Sequence, residues 1–217
     1  MCNLYSQTTN VEVIRLLLDV MRVHPSAGNL PAQPAIFPGY TAPVVRLNGG
    51  ERELVMMSWG FVLPQRDKAA KRVTNARDEK VRTSTFWRGS FEERRCLVPV
   101  TSFAEPRGRK PAVWHWFALK GEEPRPPFAF AGLWRKWKGP LKPGADVEEL
   151  NVYAFLTTTP NDVVRPVHPS RMPVMLSGKD QFRTWLEGSP DEAYALARPF
   201  PSDRMHVVHT GDTKDDG

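Results

Sequence analysis

Apolar residues at Val11, Ile14, Leu17, Leu18 and Met21 recur at helical spacing behind Thr9 and Asn10, two residue types that cap helices. The pattern predicts an amphipathic helix over residues 10–22. From 24 to 50 the chain is punctuated by Pro25, Pro31, Pro34, Pro38 and Pro43, which exclude regular helix and predict a long ordered loop. Short β-rich runs follow, predicting strands over 44–47, 53–61, 95–100, 112–119, 127–134, 152–159, 172–176 and 205–209. Helices are predicted over 85–94, over 178–187 behind a Ser177/Asp180 capping pair, and over 191–197 behind Pro190. A doubly wound parallel sheet would need a helix between most strands. Many strands and few helices instead predict an α+β fold: a mixed, mainly antiparallel sheet curled into a barrel-like core with a few flanking helices. No repeat or linker interrupts it, so residues 1–210 read as one domain, and the polar residues 211–217 as a frayed tail.

Composition narrows the setting. A chain of 217 residues can bury a sizeable core. Cys2 and Cys96 are the only cysteines, no Cys/His cluster has metal-ligand spacing, and the first twenty residues lack a basic-then-apolar signal. No apolar run approaches the ~20 residues needed to cross a bilayer. These features predict a reduced, cytoplasmic, monomeric protein without metal or cofactor. Thirty Lys and Arg against 24 Asp and Glu leave a net charge of +6, which favours a polyanionic partner. Arg66, Lys68, Lys71, Arg72, Arg77, Lys80, Arg82 and Arg88 concentrate that charge in one stretch, although a solvated face would look the same.

Cys2 directly follows Met1. Removing the methionine would expose an α-amine and a thiol on adjacent carbons. An aldehyde condenses with such an amine to an imine, and the thiol then closes on the same carbon to give a five-membered thiazolidine. An α-amine titrates near ~8 and a thiol near ~8.5, so both nucleophiles are partly available at neutral pH. An incidental cysteine is the plain alternative. Three polar residues interrupt apolar strand ends as candidate partners: Asn75 in Thr74-Asn75-Ala76-Arg77, Glu105 after Phe103-Ala104, and His168 ahead of Met172-Pro173. Each also has an ordinary reading, as a turn cap, a surface ion pair and a loop histidine.

Taken jointly, Met1-Cys2, Trp59-Gly60, Asn75-Ala76-Arg77, Arg95-Cys96-Leu97-Val98-Pro99, Phe103-Ala104-Glu105, Ala131-Gly132-Leu133-Trp134, Thr157-Thr158-Thr159-Pro160-Asn161 and His168 with Met172-Pro173 resemble, in order, the SRAP family of abasic-site processing proteins. The resemblance implies the family's fold and the capture of abasic sites in single-stranded DNA by a covalent thiazolidine link to Cys2, shielding the lesion during a DNA damage response. It implies Glu105 as acid/base near the freed amine, His168 as proton donor to the sugar ring oxygen, and Asn75 as the group that orients terminus or sugar. Arg77 would hold backbone phosphate, with Arg82 nearby. Trp59 is a candidate base-stacking platform, with core packing as the alternative, and Trp114, Trp116, Trp134 and Trp137 are read as core. Self-removal of Met1 by peptidase chemistry, lyase-type activity, an association with the nucleoid and contact with replication or repair proteins complete the expectation.

The chain also departs from the family pattern. A Met-Cys-Gly-Arg start becomes Met1-Cys2-Asn3-Leu4, flanking aromatics are missing around Glu105-Pro106, and Gln65 and Arg66 stand where aromatics are frequent. The His-x-Arg-Met-Pro signature gains a residue, as His168-Pro169-Ser170-Arg171-Met172-Pro173. Altered preference for DNA junctions is the expected consequence. Two rival classes begin from the same cysteine: an N-terminal-nucleophile amidohydrolase, and a thiol peptidase using Cys2, His168 and Asn75 on other proteins. A non-catalytic DNA-binding module is a third.

Overall fold

The computed structural model describes residues 2–108, 111–122 and 125–215. Five long strands close a barrel. Thr41–Asn48 pairs with Glu51–Trp59 on one side and with Arg95–Val100 on the other; Phe128–Gly139 joins next, then Glu148–Thr158. The ring is completed by a parallel contact in which Val152 and Tyr153 lie opposite Ser58 and Trp59. This is the α+β, barrel-cored architecture expected from the strand pattern.

Arg95–Val100 is buried along its whole length, which is why it reads as a continuous apolar run rather than an alternation. Its two faces serve different cores. Leu97 packs with Ile14, Leu18, Phe182 and Trp185 of the flanking helices, whereas Cys96, Val98 and Val100 pack with Tyr5, Phe103 and Phe117 of a second sheet. That second, five-stranded sheet contains Gln33–Ile36, Tyr5–Gln7, Ser102–Arg107, Val113–Leu119 and Met205–Gly211. It carries the amino end of the chain against the barrel.

Several boundaries differ from the sequence-based expectation, each for a local reason. The first helix spans Val11–Leu18, not 10–22, because Asp19 turns left-handed at φ 50° and Arg52 takes the Leu18 carbonyl at 2.9 Å. Arg22–Val23 is then a strand beside Glu53–Leu54. Between 24 and 50 the prolines do not enforce a loop. Pro34 sits in an edge strand, where its missing N–H costs no ladder bond, and Thr41–Asn48 is a full barrel strand. The run 53–61 is broken at Gly60, whose φ of 107° and close approach to Arg72 turn the chain into an unforeseen hairpin, Phe61–Gln65 with Lys68–Val73.

Helix ends also differ. No Ser177/Asp180 capping pair forms; Gly178 caps Lys179–Glu187, and Gln181 accepts the Ser177 N–H at 2.8 Å. The helix expected over 85–94 spans Arg88–Glu93, and the one expected over 191–197 spans Pro190–Ala195, opened by a Ser189/Glu192 capping box. The strand expected over 172–176 splits into Met172–Pro173 and Met175–Leu176 around Val174, whose N–H goes to Leu156. Nor do residues 211–215 fray. Asp215 is buried, accepts hydrogen bonds from Ser102 and Arg125, and receives the Ser6 hydroxyl on its carbonyl at 2.9 Å. Residues 216 and 217 lie outside the described residues. No helix among the described residues is long and apolar enough to cross a membrane.

Candidate active site at the amino end

Tyr5 pairs with Phe103 and Ser6 with Ser102, and the Ala104 N–H donates to the Leu4 carbonyl at 3.0 Å. Continuing that antiparallel register by two residues brings Glu105 opposite position 3, beside Cys2. Tyr5 fixes the strand from below. Its hydroxyl meets that of Tyr153, and its ring lies edge-on to Trp59 at 5.1 Å. Asn75–Arg77 approaches from the barrel, pairing in parallel with Phe155, Leu156 and Thr157. Asn75 Nδ2 donates to the Cys2 carbonyl at 2.9 Å and to Thr74 Oγ1 at 2.8 Å. Three distant stretches of sequence thus meet at Cys2.

The pocket is dry. Relative exposure is 1 % for Cys2, 0 % for Glu105 and 6 % for Asn75. Burial pushes the Cys2 thiol well above its ordinary value, with the nearby Glu105 carboxylate adding to the rise; the Leu4 carbonyl, 3.5 Å from Sγ, and the positive amino end pull the other way. Burial also lifts the Glu105 carboxyl to about 8, again opposed by the amino-terminal charge. His168, partly buried, is lowered by desolvation and by that same charge. His168 Nδ1 accepts the Arg171 N–H at 3.1 Å, so the neutral ring carries its proton on Nε2.

Asn75 Oδ1 is buried without a hydrogen-bond partner among the described residues. A buried amide oxygen of this kind has room in its hydrogen bonding for one more donor, a ligand or a water. Around Cys2 the structure thus gathers Asn75, bonded to its carbonyl, and the buried Glu105 carboxyl, while His168 stands on the loop ahead of Met172–Pro173 with its ring accepting the Arg171 N–H. Among the described residues no cluster of His, Cys, Asp or Glu could hold a metal ion.

The other sequence candidates separate. Arg77 is exposed at the end of the strand that carries Asn75, with Glu79 3.9 Å away. Arg82 is exposed too, but Asp191 holds its guanidinium at 2.6 Å and Tyr194 lies beneath it at 5.1 Å. Trp59 does not offer a face to a ligand. It has 0 % exposure, stacks on Phe155 at 5.3 Å and donates Nε1 to the Thr74 carbonyl, so core packing is its role. Trp116 and Trp114 pack around Leu4, which is fully buried and cannot reach a phosphate. Asn3 accepts the Thr74 hydroxyl at 3.1 Å, giving that departure a place in the network. Thr74 and Asp78 escaped sequence analysis; their only signal was adjacency to Asn75 and Arg77.

A model of one protein family, described as SOS response associated peptidase (SRAP), matches residues 1–212. The chain is 28 % identical over 189 residues to the abasic site processing protein YoqW of Bacillus subtilis, covering 85 % of this chain and 78 % of that one. It is 29 % identical over 167 residues to the abasic site processing protein YoaM of the same organism, covering 74 % and 69 %. Identity to the abasic site processing protein HMCES of Xenopus tropicalis is 25 % over 187 residues, covering 75 % of this chain and 54 % of that protein. A crystal structure from Bacteroides thetaiotaomicron superposes with a TM-score of 0.74 at 20 % identity, over 96 % of this chain and 92 % of the other. A phage-related protein of Bordetella bronchiseptica gives 0.70 at 22 %, over 94 % and 92 %. At these identities the structural likeness concerns the fold.

Proposed function

The chain belongs to the SOS response associated peptidase (SRAP) family, and from that premise we propose that it processes abasic sites, trapping them in single-stranded DNA as a covalent link to Cys2 once Met1 is removed. The observation that carries this reading is the meeting of Asn75 and Glu105 at Cys2: Asn75 donates to the Cys2 carbonyl at 2.9 Å, and the fully buried Glu105 carboxyl lies near enough to act on the Cys2 thiol.

The chemistry follows from the pocket. An abasic sugar opens to an aldehyde. The freed amine of Cys2 attacks that carbon, with ionised Glu105 removing the amine proton. Loss of water gives an imine, Glu105 or His168 supplying the proton to the departing oxygen. The thiol then adds to the imine carbon; a C–S bond forms and the sulfur's proton passes to nitrogen. Amine and thiol belong to one residue, so the second step needs no solvent-exposed sulfur, consistent with the 1 % exposure of Cys2. Asn75 Oδ1, buried and without a hydrogen-bond partner among the described residues, would accept from the sugar hydroxyl or the amine. Arg77, exposed one strand-end away, would hold a flanking phosphate, making binding sequence-tolerant and salt-sensitive. Hydrolytic removal of Met1 by the same carboxyl and imidazole would account for the peptidase in the family description.

A thiol peptidase acting on other proteins is disfavoured. Such enzymes need a lowered thiol facing a protonated imidazole, whereas here the thiol is raised and the imidazole lowered. The proposal is tested by incubating the protein with an oligonucleotide bearing one abasic site and running a denaturing gel. A heat-stable shifted band, absent with intact DNA and with Cys2→Ala, supports it; no band with the wild-type protein refutes it.

A further inference from the structure

We infer that a second site, away from Cys2, binds a phosphate group between the guanidinium groups of Arg94 and Arg135 and the ammonium of Lys136, beside Trp134. It does not depend on the function proposed above. Strand Phe128–Gly139 carries Trp134, Arg135 and Lys136 in succession, and the Trp134 N–H donates to the Arg94 carbonyl at 2.9 Å, which sets the end of helix Arg88–Glu93 beside them. These four side chains line an open cavity of about 400 Å³. Arg135 stands opposite Val152, whereas Asn75 stands opposite Phe155, three residues or about 10 Å further along Glu148–Thr158. The two sites also use different faces of the barrel wall. Arg135 lies over Phe61 and Phe86 on the helix-covered side, where Val152 packs, while Cys2 packs with Tyr153 and Phe155 in the other core.

Arg135 is a half-buried cation without a counter-ion. The Phe61 and Phe86 rings each lie 4.4 Å from its guanidinium carbon and hold the flat group by its faces. Nη2 donates to the Val62 carbonyl at 2.9 Å, and Nε is buried without a hydrogen-bond partner among the described residues. No carboxylate acts on it there. Burial holds the guanidinium below its ordinary value, and the positive charge of Arg94 adds to the fall. Two cations facing each other in a partly dry setting are costly until an anion joins them. Glu53 does not supply one, because it binds Arg46, whose guanidinium lies over Trp134 at 4.6 Å. Glu93 meets Arg94 at 2.7 Å but is 70 % exposed, a weak surface contact that an incoming anion can displace. A phosphate matches the paired donors of a guanidinium fork, and the Trp134 indole offers an apolar wall to a sugar or base attached to it.

The test uses the full chain, labelled with nitrogen-15 and carrying Cys2→Ala so that no adduct forms, and reads the arginine Nε–H and tryptophan Nε1–H signals. Sodium phosphate is titrated against sodium chloride at matched ionic strength, and a lesion-free single strand is titrated in a parallel series. Phosphate should shift the Arg135 and Trp134 signals saturably. Arg135→Gln should weaken that binding by about ten-fold or more, as loss of a charge-assisted contact does, and Arg94→Gln should weaken it too. Arg15→Gln removes one charge from a distant helix and should leave it unchanged. Saturation of the same signals by the strand at a concentration about ten-fold or more below that of free phosphate assigns the site to nucleic acid. Saturation at a similar or higher concentration, or no response to the strand, assigns it to a free or nucleotide phosphate. No saturable shift with either ligand overturns the proposal, as does a phosphate response that survives in folded Arg135→Gln or falls equally in Arg15→Gln. Should Arg135→Gln fail to fold, Arg94→Gln combined with Lys136→Gln decides, and full binding in that variant overturns the proposal. Adduct formation plays no part in these readouts, so failure of the trapping reaction and failure of this site are told apart.

Discussion

Asn75 donates from Nδ2 to the carbonyl oxygen of Cys2 at 2.9 Å, linking the barrel strand end to the residue that would act as nucleophile. Asn75→Ala leaves that buried carbonyl unmatched. We expect crosslinking to slow by about ten- to a hundred-fold, the equivalent of roughly 1–3 kcal/mol. Asn75→Asp keeps an acceptor but loses the donor, so it should be slow as well. Wild-type rates in Asn75→Asp would show that the contact with Cys2 is dispensable.

Glu105 carries a cost that depends on pH. Its folded value, about 8, lies above the ordinary 4.5, so the folded state holds its proton where the unfolded state has lost it. Stability is therefore untouched below 4.5 and falls as pH rises towards about 8. Glu105→Gln removes that cost. Its stability relative to wild type should rise by a few kcal/mol between acid and pH 8, while crosslinking drops by about 10²–10⁴-fold. Denaturant titrations at several pH values check this, and a pH-independent difference contradicts it.

Trp59 and Arg77 should separate in their responses. Trp59→Phe loses the Nε1 bond to the Thr74 carbonyl and should cost roughly 1–2 kcal/mol of stability, with no change in the salt slope of DNA binding. Arg82→Gln, held as it is by Asp191, should change DNA affinity less than Arg77→Gln. Fluorescence anisotropy with lesion-free single strands across salt measures both.

Asp215 holds the carboxyl-terminal segment against the strand that leads from Cys2. Asp215→Ala strands the guanidinium of Arg125 and the Ser102 hydroxyl, and should destabilise by roughly 3–5 kcal/mol, as breaking a buried ion pair does. A loss near zero would mean that the segment is not docked in solution.

Fold class was legible because barrel strands buried on both faces leave unbroken apolar runs such as Cys96-Leu97-Val98. The Lys68–Val73 hairpin arm was not, since it is exposed or half-buried throughout and its charged and small residues show no period-two alternation. Prolines misled at Pro34, where an edge strand tolerates them. In the candidate site, Cys2 stood out by its place directly behind Met1, and Asn75, Glu105 and His168 as polar residues at apolar strand ends. Arg171 and Asp78 did not, because their ion pair spans 93 positions of sequence and leaves no local pattern. Asp215 looked like part of a polar tail, and only its buried partners Ser102 and Arg125 reveal it as an anchor.

The most direct measurement is intact mass spectrometry of the purified protein before and after reaction with an oligonucleotide carrying a single abasic site. The account predicts a chain lacking Met1, a product equal to protein plus oligonucleotide minus one water, and attachment at the peptide beginning with Cys2. Retained Met1 in a protein that still crosslinks, or attachment at any other residue, would contradict it.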